Sequence, residues 1–84
     1  VGYSKEELIA KVTNLIHEET GIPESLITPT VLIGDELDID SISVMTILVN
    51  VEEATKTKIP DEDWSGLTTV EKIVDYILNK ETEN

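Results

Sequence analysis

Cysteine, arginine and phenylalanine are all missing from the 84 residues, and positive charge is scarce. Six lysines stand against 18 acids, for a net charge of -12 with His17 neutral. Each gap closes off a class of protein. Without cysteine there is no disulfide framework, no thiolate zinc site and no thiol nucleophile. Without clustered cations nothing neutralises phosphates, so nucleic acid would repel this chain. No apolar run approaches the roughly 18 residues of a membrane span, and no charged-then-apolar start suggests a signal peptide. A chain this short suits one small domain burying only about 60% of the surface its unfolded form exposes, too little interior for a deep pocket. The composition implies a soluble, acidic domain, expected in the cytoplasm.

What is present is helical periodicity. Leu8, Val12, Leu15 and Ile16, with Ile9 beside them, fall on one stripe of a helix over residues 4–19. Ser4 followed by Glu7 has the form of a capping box at its start. Gly21 and Pro23 stop it, the glycine permitting a left-handed turn. Residues 21–39 contain apolar side chains with no period of two or 3.6, and read as a long loop with a short helical turn near Pro23–Leu26. Ile27, Leu32 and Leu37 are the expected pins of this loop onto the core. A second helix spans about Asp40 to Thr55, capped by Asp38 or Asp40. After Ile59-Pro60, residues 61–65 allow one short helical turn carrying Trp64. The last helix starts near Thr68 or Thr69, where Thr68 and Glu71 fit a second capping box, and Val70, Ile73, Val74, Ile77 and Leu78 form its stripe. The expected fold is all-α: a small four-helix bundle of three main helices and a short third one, with a long loop between helices 1 and 2. Residues 1–84 are expected to form a single domain whose polar tail, 81–84, frays.

The second helix carries two apolar stripes where a half-buried helix needs one. Val44, Ile47, Leu48 and Val51 should face the core. Ile42, Met45 and Val49 are rotated away by a quarter turn or more, and either pack beneath the long loop or form an exposed strip for partners. Thr46, Asn50 and Glu53 take the polar side. Ser41 opens this helix, behind Asp35, Glu36, Asp38 and Asp40.

Neither a calcium loop nor catalysis suits these residues. A calcium loop counted from Asp38 puts Ile42 where an oxygen ligand belongs and Ser43 in place of the required glycine; counted from Asp35 it meets Leu37. A serine nucleophile needs a positioned base. The one histidine, His17, lies at the end of the first helix, where its charge would favour the helix C-terminus. The acids read as solvated, suited to electrostatic recognition rather than acid–base work.

The run Gly34-Asp35-Glu36-Leu37-Asp38-Ile39-Asp40-Ser41-Ile42 resembles the attachment motif of acyl carrier proteins. Downstream, Val51-Glu52-Glu53 resembles the acidic end of that family's second helix. Lys58-Ile59-Pro60-Asp61-Glu62-Asp63, Leu67-Thr68-Thr69-Val70 and Asp75-Tyr76-Ile77 extend the likeness over roughly residues 4–80. The resemblance implies that Ser41 accepts 4′-phosphopantetheine from coenzyme A through a separate phosphopantetheinyl transferase, with Asp40 fixing the local turn. Acyl groups would then ride as thioesters on a thiol that the chain itself lacks. Ile42, Met45 and Val49 match family positions that touch partner enzymes, and Glu52 and Glu53 match positions that meet their basic patches. The implied partners are the transferase and acyltransferase, ketosynthase or other synthase components, visited by a carrier that is itself a monomer and no enzyme. Ser43, Thr46 and Ala54 stand where acids are common in the family, Thr55 where an aromatic is common, and Trp64 is unusual in the third segment. Those departures lean toward a specialised polyketide, lipid or mixed peptide-polyketide pathway, with peptidyl and D-alanyl carriers as neighbouring subclasses. The reading from a different class is a non-catalytic acidic interaction module, which would leave Ser41 unmodified.

Overall fold

The computed structural model describes residues 2–82. Helix α1 covers Lys5–Thr20, α2 covers Ser41–Thr55 and α3 covers Val70–Thr82, with 3-10 turns η1 at Glu24–Leu26 and η2 at Asp61–Gly66. The fold is therefore all-helical, with η2 as the short third helix. The polar tail expected from residue 81 is helical through Thr82, and its remainder lies outside the described residues.

Helix α1 starts where the capping box places it. Glu7 N–H donates to Ser4 Oγ at 3.1 Å, and Ser4 N–H donates to Glu7 Oε1 at 2.9 Å, so two groups without helical partners satisfy each other. It ends at Gly21, whose φ of 76° is open to a residue without Cβ and whose N–H donates to His17 O. His17 then holds the exit: its Nδ1 donates to Ile22 O at 2.8 Å. Leu8, Val12 and Ile16 are buried, and α1 packs against both α2 and α3. Buried Ile47, Leu48 and Val51 answer from α2; Val70, Ile73, Val74 and Ile77 answer from α3.

The long loop is pinned, but not by all three expected residues. Ile27 is buried and Leu37 packs half-buried against the core, whereas Leu32 is 39% exposed. Its neighbour Ile33, 1% exposed, takes the inward position, and Ile39 is buried as well. The backbone decides between Leu32 and Ile33. Ile33 N–H donates to Thr68 O at 3.0 Å, and Pro29 O accepts Glu71 N–H at 2.9 Å, so the loop is stitched to the chain entering α3. Leu32 N–H is instead turned to Glu36 Oε1 at 2.7 Å. That stitching also corrects the second capping box. Glu71 N–H is occupied by Pro29, and it is Thr69 Oγ1 that accepts from Lys72 N–H, at 3.1 Å.

The segment before α3 is held by its side chains. Trp64 Nε1 donates to Ile59 O at 2.9 Å, and Tyr76 OH donates to Asp63 Oδ2 at 2.7 Å. Ile59 is itself buried.

Two stability experiments follow from these contacts. Ile33→Ala should cost about 2–5 kcal/mol in urea unfolding, as buried isoleucine truncations do. Leu32→Ala should stay within about 0.5 kcal/mol, and equal losses would place Leu32 in the core after all. The second concerns acid. The Ser4 backbone N–H, and then the Ser4 hydroxyl, hold the Glu7 carboxyl below its ordinary value of 4.5. A carboxyl depressed by folding stabilises the native state above its unfolded value, and loses that effect as pH falls through the folded one. Glu7→Gln should accordingly flatten the decline in stability below pH 4.5; a profile parallel to the parent would exclude the contribution.

Candidate functional site

Ser41 is the first residue of α2 and is exposed. Its placement is determined by the three residues before it. Asp38 has φ 57°, a left-handed conformation that aspartate tolerates better than most side chains. Ile39 then buries its side chain, and Asp40 follows exposed, at φ -71° and ψ 165°, as the cap of the helix. Asp40 Oδ1 accepts Ser43 N–H at 2.8 Å. Of the two candidate caps, Asp40 is the one used. An anchored isoleucine on one side and a capped helix on the other thus hold Ser41 outward at the positive end of the α2 dipole.

The second stripe of α2 is exposed rather than packed beneath the loop. Ile42 is 73% exposed, Met45 46% and Val49 40%. It continues from Ser41 along the helix, with Glu53 exposed near its far end. Glu52, expected beside Glu53 as a surface charge, is half-buried, and its Oε2 accepts Ile59 N–H at 2.6 Å. It ties the end of α2 to the segment that carries η2. The two glutamates are adjacent in sequence but differ in surroundings.

Sequence reasoning missed an apolar cleft of about 150 Å³ on the other side of α2. Leu32, Ile33, Gly34 and Asp35 from the loop, Val44 from α2, and Trp64, Leu67 and Thr68 from η2 and beyond line it. Val44 lies one turn after Ser41. The available signal was Trp64, a large side chain in a short turn, together with Leu32, which the loop does not bury. Among the described residues, no cluster of His, Asp or Glu could hold a metal ion, and no helix is long and apolar enough to cross a membrane.

The arrangement offers a presented hydroxyl, a helix N-terminus suited to a phosphate, an apolar strip and an apolar cleft. Those features fit a covalent phosphodiester arm at the head of α2. Comparison with known proteins agrees. Residues 10–77 match the family model described as the phosphopantetheine attachment site. The chain is 48% identical over 81 residues to the meromycolate extension acyl carrier protein of Mycobacterium leprae, covering 96% of this chain and 70% of that one. It is 47% identical over 74 residues to an acyl carrier protein of Myxococcus xanthus, covering 88% of this chain and 94% of the relative. The solved structure of the Enterococcus faecalis acyl carrier protein superposes with a TM-score of 0.78 at 36% identity, covering 93% of this chain and 99% of that one. The chain belongs to the acyl carrier protein family: it is a non-catalytic carrier of acyl groups in fatty-acid and related lipid synthesis, and it bears them on covalently attached 4′-phosphopantetheine.

Proposed function

We propose that Ser41 is the attachment point, and that a phosphopantetheinyl transferase installs the arm there. Ser41 Oγ forms a bond to the phosphorus nearer the pantetheine, the diphosphate P–O bond of coenzyme A breaks with release of adenosine 3′,5′-bisphosphate, and the serine proton passes to the transferase. The observation that carries this reading is the exposed hydroxyl of Ser41 on the first turn of α2, capped by Asp40. The arm supplies a terminal thiol for thioester formation, which a chain without cysteine cannot provide. The chain's own residues supply orientation and recognition.

Recognition falls to the exposed strip. Ile42, Met45 and Val49 offer an apolar surface beside the modified serine, and methionine adapts its shape to more than one partner. Glu53 adds a charge at the far end, toward synthase and transferase surfaces that are basic. Glu52 contributes a carboxylate as well, but the hydrogen bond to Ile59 N–H gives it a structural role too. A monomer suits this cycle, since self-association through the strip would cover the surface that docks. The family names of the relatives favour acyl-chain extension in lipid synthesis over peptidyl or D-alanyl carriage.

Intact mass spectrometry tests the attachment. With coenzyme A and a broad-specificity transferase the chain should gain one phosphopantetheine, and Ser41→Ala should gain none. A persistent gain in the variant would move the site elsewhere. Docking is tested on the same transferase by steady-state kinetics. Ile42→Asp should raise KM about 10-fold with kcat largely kept, as truncation of an apolar anchor does. Glu53→Lys should slow association at low salt and lose part of its salt dependence. Unchanged KM in both variants would remove the strip from recognition.

A further inference from the structure

Charge along the surface of α2 reverses sign at the end farthest from Ser41. Asp35, Glu36, Asp38 and Asp40 are exposed ahead of the serine, and residues 41–51 carry no charge at all. Glu52 is held by Ile59 N–H, which leaves Glu53 as the exposed acid of the last turn. Lys56 and Lys58 follow, both exposed, and border one open depression with Glu53. Two of the six lysines of an acidic chain thus fall within three residues. Lys5 pairs with Glu71 and Asp75, whereas among the described residues neither Lys56 nor Lys58 forms an ion pair. The fold accounts for only part of this. A helix C-terminus favours a cation, but the effect fades within the last turn, and Lys58 lies beyond it. Lys56 caps α2 at φ 57° and ψ 32°, a left-handed conformation that glycine adopts without a Cβ penalty. A lysine stands there at a backbone cost, with its side chain exposed.

We propose that Lys56 and Lys58 form the far end of the docking surface, and that they take carboxylates of an acyl-processing partner enzyme. This rests on the reading of Ile42, Met45 and Val49 as the strip that docks. Asp40 and Lys56 are the two caps of α2, about 24 Å apart along its axis at 1.5 Å per residue. A standard interface buries about 800 Å² on each side, a patch about 32 Å across, so one partner can cover both ends. The partner is then basic beside its active-site entrance, apolar next to that, and acidic about 24 Å away. The reversal of sign gives the surface a direction. Ile42, Met45 and Val49 are apolar whichever way a partner lies along them, so the strip alone sets none. Docked backwards, the partner's cations would face Lys56 and Lys58, and its carboxylates would face the acids before Ser41. Docked forwards, both charged ends meet their opposites, and the arm on Ser41 points at the active site. A second copy of the chain also offers carboxylates, but a net charge of -12 on each opposes that pairing.

The experiment uses the full chain, loaded with a hexanoyl arm by a transferase, and a chain-extending ketosynthase of a bacterial fatty-acid system. Intact mass follows transfer of the hexanoyl group from the chain to the synthase. Lys56→Glu with Lys58→Glu should lower the second-order rate about 10-fold at low salt, with the rate at saturating synthase kept. At about 1 M salt, where screening shortens to about 3 Å, the difference should vanish. Lys56→Arg with Lys58→Arg should keep the parent rate. Lys56→Gly should hold or raise Tm, since it relieves the left-handed residue, and still slow transfer about 3-fold. A carbodiimide, which joins an ammonium nitrogen to a carboxylate with loss of water, should link Lys56 or Lys58 to an acid of the synthase. Rates unchanged by the charge reversal, a deficit that persists at high salt, or links from other lysines only would each overturn the proposal. Sedimentation of the chain alone at low salt should show a monomer; a dimer dispersed by the double reversal would make a second copy the occupant and overturn it too. Should the doubly reversed variant fail to fold, Lys56→Gly and the cross-links decide. Ile42→Asp, measured on the same synthase, separates the two readings. If it transfers at the parent rate, the docking strip falls and this proposal with it. If it is slowed while the lysine variants are not, the role of Lys56 and Lys58 falls alone.

Discussion

The stitching of the long loop to the chain entering α3 is the constraint on which the Ser41 end of the molecule depends. The loop lacks a helical or strand ladder, so its backbone groups need other partners and its ordering must be offset by burial. Ile27, Ile33 and Ile39 supply the burial, and Ile33 N–H and Pro29 O supply the cross-links to Thr68 and Glu71. The consequence reaches Ser41 in three steps. A buried Ile39 anchors the residue before Asp40, Asp40 caps α2 through Ser43, and the cap determines where the helix begins. Ser41 is exposed because its neighbours on one side are tied inward. The same loop residues line the apolar cleft, so the presentation of Ser41 and the cleft share one support.

Much of this was legible in the sequence wherever a periodic pattern or a cap was present. The stripes of α1 and α3, the Ser4–Glu7 box, the stop at Gly21 and the division of α2 into two apolar faces all reappear in three dimensions. The misses share a cause. Leu32 and Ile33 are chemically alike and adjacent, and only a hydrogen bond to Thr68, distant in sequence, decides which turns inward. Thr68 and Thr69 offer the same hydroxyl. A loop carbonyl at Pro29 takes the amide of Glu71, leaving Thr69 as the cap. Glu52 and Glu53 read as one acidic patch until the amide of Ile59 claims the first of them. The cleft is a property of three separate segments, and no local window of sequence contains it.

Charge is used differently from burial. Lys5 lies 3.7 Å from Glu71 and 3.4 Å from Asp75 on half-exposed side chains, and Lys80 lies 5.5 Å from the centre of the Tyr76 ring. Exposed pairs of this kind contribute about 0–1 kcal/mol each. A net charge of -12 therefore opposes compaction more than such contacts favour it. Its value lies in encounter with partners. Asp35, Glu36, Asp38 and Asp40 are exposed immediately ahead of Ser41, and Glu53 is exposed at the other end of the strip. In the proposed docking role, an acidic field at both ends of an apolar surface would orient a basic partner while leaving the contact region itself free of strongly hydrated groups.

Helix α2 must then serve three surfaces at once. Ile47, Leu48 and Val51 face the core, Val44 borders both core and cleft, and Ile42, Met45 and Val49 face outward about 140° from the core stripe at 100° per residue. An ordinary half-buried helix would place polar residues where Ile42 and Met45 stand. Keeping them apolar exposes hydrophobic surface, and that surface would favour self-association. The excess of acid elsewhere opposes this through repulsion between copies of the chain. The net charge and the exposed strip are thus one solution. In the proposed docking cycle, repulsion would keep identical chains apart, attraction would bring basic partners in, and the apolar strip would act only after the charges have chosen which surface approaches it.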